Sequence, residues 1–532
     1  MTSSVSATGA APPNRPASTE TVATASSGAS AAILLEEGRT LALKQDFAAA
    51  AKVLQAALER FPDDIEVPLA LASVRWQLGD RAVAQALLEG VLERQPGHVG
   101  AAFTLVRLHA ERDEWPAAEA VFRALFRDHP QPADLALRAA KMLADWNRKP
   151  AAAEICEAAI AAGAEDAMLH LYAAALQGQL GDFERSRRHY LFALDHDRRT
   201  LDYGAAYGLA SISRYADPAH PDLARFAALL EQPDLNARAR ASLLFALGKI
   251  HDDLGDYAQA AARLREANGL VDRQNWSRKN WRRLVDARLG AKPLPPRAPA
   301  EDECVPIFIV GAPRSGTTLA AELLGRSSQI RNRGELDWLP HYAEQIAVAG
   351  KPTPESLERV AQAYLGKLRQ EEGEVRWFVD KQPLNFLHVD LIRALFPQAW
   401  IVHCRRSSRD TALSIWTQHF GSTEYRFAYD FDDIAAVLQG CSRLMAKAKQ
   451  DAGARVLEVR YEELVRRPQA VVDALADAIG VPCFDCGTPE ERRHAIGTAS
   501  VWQARQPVYT RAIGRWRAYA EFVPELMKFA DD

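Results

Sequence analysis

An all-α array of helical repeats followed by an α/β domain with a central parallel sheet is the fold this sequence predicts, on three observations. A residue pattern returns every 34 positions through the first third of the chain. Beyond a Pro-rich stretch, apolar runs of strand length alternate with helical stretches. The first of those runs leads into a glycine-containing turn and then a helical segment, an arrangement that gathers backbone N–H groups at one point.

The bulk numbers agree with two or more domains, since 532 residues exceed what one ordinary core supports. A composition of 48% hydrophobic and 25% charged residues is that of a globular protein. The net charge of -4 gives no electrostatic case for nucleic-acid binding, so any anionic ligand needs a local site. Six scattered cysteines are too sparse to staple the fold, which fits a reducing compartment and hence a cytoplasmic location. Cys483 and Cys486 form a lone CxxC without a matching second pair, and read as ordinary thiols. No apolar run reaches the roughly 20 residues of a membrane span, and no secretory signal is visible at the N-terminus.

Residues 1–30 are Ala, Ser, Thr, Pro and Gly with almost no large apolar side chains, and read as a disordered tail. From Ala31 the text becomes helical. Phe47, Arg81, Trp115, Lys149 and Phe183 recur at steps of 34, each followed three residues later by a small side chain: Ala50, Ala84, Ala118, Ala152 and Ser186. Pro62, Pro96 and Pro130 close the first three units at the same spacing. The pattern returns at Tyr257 and Ala260 after 74 residues, two periods plus six, and the stretch from Arg214 to Asp234 would hold the insertion. A fixed period with small residues at one helix position resembles the tetratricopeptide repeat family over residues 31–290. The resemblance implies a superhelical groove for an extended peptide or a partner protein. An array that only packs on the following domain, or that makes a homodimer, is the alternative.

Ala291 to Glu303 carries four prolines without apolar periodicity and marks a linker, taken as 291–304. The second domain then runs over 305–532. Its expected strands are centred near Phe308, Phe378, Val402 and Val459. At the end of the first stands Gly311-Ala312-Pro313-Arg314-Ser315-Gly316-Thr317-Thr318, a cradle for a phosphate or sulfate group. A Walker A loop places Lys between its last Gly and the Ser or Thr, to reach nucleotide phosphates beside Mg²⁺. Here Thr317 follows Gly316 directly, so that lysine is missing, and Arg314 brings planar donors suited to a tetrahedral anion.

These residues resemble the PAPS-dependent sulfotransferases, whose domain is P-loop-like, and within them the tyrosylprotein branch with its repeat-containing bacterial relatives. The resemblance implies that Arg314, Ser315, Gly316, Thr317 and Thr318 grip the 5′-phosphosulfate of PAPS. It implies a 3′-phosphate site in Arg406 and Ser414, eight residues apart after the third expected strand. It makes Glu335, 21 residues beyond Arg314, the catalytic base, and Lys381 the cation that assists departure of adenosine 3′,5′-bisphosphate (PAP). Arg314 shares in stabilising charge at the sulfuryl group. Tyr461 after the last strand, and Ser500 and Arg515 in a segment resembling the family's closing loop, would be further donor contacts. No metal is implied. Other sulfotransferases use histidine, which keeps His388, His403 and His419 open as alternative bases.

The expected reaction is in-line sulfuryl transfer to an acceptor hydroxyl, a tyrosine of a peptide or protein held partly by the repeats. Leu336, Asp337 and Trp338 follow Glu335 where the tyrosylprotein enzymes carry basic residues, so a glycan or small phenol stays open as acceptor. A repeat scaffold with an inactive nucleotide-binding domain is the reading from another class.

Overall fold

The computed structural model describes residues 20–128, 131–274, 276–300, 303–348, 352–369, 375–451, 455–487 and 501–530. By its internal contacts the chain forms two compact units, Met1–Pro130 and Gln131–Asp532.

The first unit is a run of helical hairpins: Glu20–Leu43 with Phe47–Arg60, Glu66–Gln77 with Arg81–Arg94, and Val99–Glu111 with Trp115–Asp128. Its first helix begins inside the stretch read as a tail, of which residues 1–19 lie outside the described residues, as does Pro130. The second unit opens with two more hairpins, Ala133–Asp145 with Lys149–Ala161 and Ala167–Leu180 with Phe183–His196, and adds Ala237–Asp253 with Tyr257–Leu270.

The 34-residue period has a local cause. Each registered residue opens the second helix of its hairpin. Two positions earlier the chain turns through the left-handed region, at Gln45, Gly79, Asp113, Asn147, Gly181 and Gly255. Asp46, Asp182 and Asp256 then cap the helix they precede, each accepting a backbone N–H with a carboxylate oxygen at 3.0–3.1 Å. Ala50, Ala84, Ala118, Ala152, Ser186 and Ala260 are all fully buried, where two helices approach too closely for a larger side chain. We expect Ala152→Leu to cost about 1–3 kcal/mol in chemical denaturation, because the added atoms have no space.

The stretch from Arg214 to Asp234 holds an additional helix, Pro221–Leu230. Its Asp222 is buried and accepts both Nη1 and Nη2 of Arg187 at 2.7 and 2.8 Å and the Tyr215 hydroxyl at 2.9 Å.

The Pro-rich stretch carries neither helix nor strand over 291–300, yet it is tied down: Arg297 is buried, ion-paired with Glu303, and donates to the Leu395 carbonyl. Beyond it lies a parallel sheet of β1 (Val305–Gly311), β2 (Ile330–Asn332), β3 (Trp377–Asp380), β4 (Trp400–Arg405) and β5 (Val456–Arg460), in the order β2-β3-β1-β4-β5. Four strands stand where the apolar runs predict them. The fifth, β2, has three residues of which only Ile330 is buried, too short a run to signal a strand.

The central strand β1 is buried along its whole length. Its two sets of side chains serve different cores, as a period of two requires. Ile307 and Ile309 pack with helices Thr317–Leu324 and Pro468–Ile479. Phe308 and Val310 belong to a second apolar core that runs on continuously into Leu243, Leu247, Leu264 and Trp281 of the repeat helices. Within this unit the later hairpins and the sheet are therefore one hydrophobic body.

Candidate active site

In an open parallel sheet the place where the strand order reverses opens a crevice at the carboxyl ends. Here the order reverses between β1 and β4. Each of the five strands delivers one of the sequence-predicted residues just past its carboxyl end: Arg314 after β1, Glu335 after β2, Lys381 after β3, Arg406 after β4 and Tyr461 after β5. They surround a cleft of about 700 Å³ whose lining includes Arg314, Gly316, Thr317, Thr318, Glu335, Arg406, Ser414, Tyr461 and Arg515. Lys381 reaches the same place through an ion pair with Glu335.

The turn after β1 is built by backbone conformations that few side chains tolerate. Gly311 has φ +150°, and a Cβ there would stand 2.4 Å from the Cys404 carbonyl oxygen and 2.9 Å from Ser315 Oγ. Gly316, at φ +99°, would bring a Cβ to 2.7 Å from the Tyr461 ring. Arg314 itself has φ +68°, a conformation that costs a non-glycine residue roughly 1–2 kcal/mol. The turn leads into helix Thr317–Leu324, whose first N–H groups have no partner within the helix. Thr317, Thr318 and Ser315 are buried, and Ser315 Oγ has no hydrogen-bond partner among the described residues.

Three guanidinium groups converge beside this turn. Arg314 Nε donates to Ser414 Oγ at 3.1 Å. Arg406 donates to the carbonyls of Arg314 (3.2 Å) and Ala512 (2.7 Å) and lies over the Tyr461 ring at 4.7 Å, while its buried Nε has no partner among the described residues. Burial pushes the Arg314 and Arg406 guanidiniums below their ordinary range, and the charges of Arg406 on Arg314 and of Arg515 on Arg406 push the same way. Arg515 is held differently. Burial opposes its charge, but an ion pair with Asp252 of the Ala237–Asp253 helix keeps it above the ordinary range.

The segment over 501–530 closes this end of the cleft. Asp410, buried on helix Ser408–Trp416, accepts the backbone N–H groups of Gly514 (2.6 Å) and Trp516 (2.9 Å). Trp502 meets Phe183 of a repeat helix edge to face at 4.8 Å, and Arg505 donates to the Gln179 carbonyl at 2.8 Å. Ser500 lies outside the described residues.

At the other end, Glu335 and Lys381 are an ion pair, and Lys381 N donates to the Gly334 carbonyl at 2.8 Å. Asp337 accepts Gln382 Nε2 at 2.9 Å, and burial, reinforced by Glu335, raises its carboxyl above the usual range. Phe420 and Tyr425 stack at 4.7 Å and line the cleft here. Of the alternative bases, His419 lines the cleft and lies flat on Phe245 at 4.9 Å, whereas His388 and His403 are not among the lining residues. Burial lowers all three to about 4, which leaves them neutral and weakly basic. Cys483 and Cys486 are both free thiols, one exposed and one buried. Among the described residues no group of three His, Cys, Asp or Glu side chains is placed to hold a metal, and no helix is long and apolar enough to cross a membrane.

Several residues of the site carry no sequence signal. Asp252, Lys249 and Gln179 come from the repeat helices and line the cleft with Tyr257, which the sequence marks only as a register position. Phe420 and Tyr425 belong to a segment without a motif, and Asp410 lies between Arg406 and Ser414 with no signal of its own.

Comparison with known proteins finds a family match in each half of the chain. The sulfotransferase family matches residues 306–485, and the tetratricopeptide repeat family matches residues 75–141. An uncharacterized protein of Aquifex aeolicus is 28% identical over 334 residues, 57% of this chain and 43% of that protein. Protein-tyrosine sulfotransferase 2 of Gallus gallus is 23% identical over 233 residues, 40% of this chain and 62% of that protein. The chain thus spans under two thirds of the length of either relative. A sulfotransferase domain from the curacin biosynthetic pathway aligns with 45% of this chain and all of its own, at 17% identity and a TM-score of 0.29. By the two family matches, the chain is similar to the sulfotransferase family over 306–485 and to tetratricopeptide repeats over 75–141.

Proposed function

We propose that the chain transfers a sulfuryl group from PAPS to an acceptor hydroxyl, the acceptor being a tyrosine of a peptide or protein. The observation that carries this reading is the meeting of Glu335, Lys381 and the Pro313–Thr318 turn around one cleft. The residues fit the donor's chemistry. A buried Ser315 hydroxyl and a buried Arg406 Nε, both without partners among the described residues, stand beside converging guanidiniums and a glycine cradle that a Cβ would fill. Such atoms are satisfied by a ligand with several anionic oxygens.

In this reading Arg314, Ser315, Gly316, Thr317 and Thr318 bind the 5′-phosphosulfate, and Arg406 with Ser414 binds the 3′-phosphate. Tyr461, Ser500 and Arg515 are further donor contacts. Bound PAPS supplies an activated sulfuryl group on a mixed anhydride. Glu335 accepts the proton of the attacking hydroxyl, Arg314 and the turn's N–H groups stabilise the sulfuryl oxygens, and Lys381 offers its charge to the departing oxygen. As in phosphoryl transfer, positioning and electrostatics do most of the work.

The tyrosine acceptor is supported by the match to protein-tyrosine sulfotransferase 2 and by the stacked Phe420 and Tyr425, an apolar wall for an aromatic ring. The repeats would hold the flanking peptide. Asp337 and Glu424 add negative charge near Glu335, which weighs against a strongly acidic peptide and favours, as a second reading, a small phenol or a glycan. Labelled-sulfate transfer from PAPS in a cell lysate, with mass spectrometry of the products, tests the proposal: label on protein tyrosine is expected. A calorimetric titration in which PAP does not bind would overturn it and favour a repeat scaffold with an inactive domain.

A further inference from the structure

We propose that the repeat hairpin around Gly181 fastens the wall of the donor end of the cleft, with Trp502 and Arg505 as positioning residues that hold the segment 502–516 in place. The inference deepens the reading that this cleft binds PAPS, and rests on it.

The hairpin turn offers what a guanidinium needs. Helix Ala167–Leu180 ends at Gly181, at φ +86°. The carbonyls of a helix's last turn have no partner further along the helix and form the negative end of its dipole. Arg505 lies over this end: it donates Nη2 to the Gln179 carbonyl at 2.8 Å, and a Cβ on Gly181 would stand 2.7 Å from its Cζ and Nε. The glycine thus serves both the left-handed turn and the close approach of the guanidinium. Three residues before Arg505, the Trp502 ring meets that of Phe183, the first residue of the next repeat helix, at 4.8 Å. Trp502 and Gln179 line the cleft, as do Ala504 and Gln506 on either side of Arg505.

From this fastening the segment crosses to the residues proposed to hold the donor. Val508 packs on the apolar core that includes Ala320 and Leu323, from the helix that follows the turn after β1. Arg406 donates to the Ala512 carbonyl, and Asp410 accepts the N–H groups of Gly514 and Trp516. Over 506–511, among the described residues, no hydrogen bond reaches another segment, so the stretch that lays Tyr509 and Arg511 along the cleft is set chiefly by its two ends. Helix Ser408–Trp416 and Arg406 hold one end, and the repeat hairpin holds the other. With Arg505 released, the donor meets a looser wall, and part of its affinity is used to order it.

Calorimetry of PAP binding tests this. Gly181→Ala displaces the Arg505 guanidinium, which is the end of a flexible side chain and gives way. Gly79→Ala is the matched control: it stands at the same place in an earlier hairpin, at φ +85°, with nothing within 4 Å of its added Cβ. Gly181→Ala and Arg505→Ala should each weaken PAP by about tenfold, the size expected for losing one hydrogen bond from a charged group. The double variant should lose no more than either alone, and Gly79→Ala should match wild type. Wild-type affinity in Arg505→Ala overturns the inference alone, whether or not Gly181→Ala folds. An equal loss in Gly79→Ala also overturns it, since strain anywhere in the array would then suffice. Failure of PAP to bind the wild-type chain overturns the donor reading, and this inference with it.

Discussion

Glu335→Gln should reduce sulfuryl transfer by at least ~10²-fold while PAP affinity, read by calorimetry, stays unchanged. The amide keeps the shape of the side chain and an acceptor for Lys381, so the cleft is preserved. What is lost is the ability to take a proton from the attacking hydroxyl. The residues proposed to hold the donor, Arg314, Arg406 and the turn, are bonded to one another at the other end of the cleft and do not depend on that carboxylate. Near-normal turnover would move the role of base elsewhere, and His419 would be the first residue to examine, because it alone of the three histidines lines the cleft.

Gly311→Ala should weaken PAP binding and lower sulfuryl transfer by about 10²-fold, the size of rate loss expected when reacting groups are misplaced by about 1 Å. The new Cβ would stand 2.4 Å from the Cys404 carbonyl oxygen, a backbone atom of β4 that cannot rotate aside. It would also press on Ser315 Oγ, and the φ of +150° is unfavourable for any L side chain. Strand β1 is pinned between β3 and β4, so the displacement passes into the turn that follows. A calorimetric titration equal to wild type would mean that the turn has more room than its geometry implies.

Much of the candidate site was legible in sequence because several of its residues follow strands that are buried along their length. The run around Phe308 and the run around Val402 have no choice but to be central, and the residues after them, Arg314 and Arg406, fall at the crevice. Glu335 was harder. Its strand β2 is three residues long with one buried side chain, and only the spacing within the family resemblance marked it. The hairpins were legible because a register residue and a small residue three positions on recur every 34 positions. Contacts between distant segments were not. Nothing near Asp252 announces Arg515, and nothing near Asp410 announces Gly514 and Trp516.

The side chains of Phe308 and Val310 bear on a consequence for anyone dissecting the chain. A fragment cut at the prolines would carry the turn after β1, Arg406 and Tyr461 yet leave an oily flank of its sheet bare to water, with Arg515 deprived of Asp252. The smallest self-sufficient fragment should therefore start near Gln131, in the midst of the repeats, and a transplant of the array from another protein would have to match the sheet.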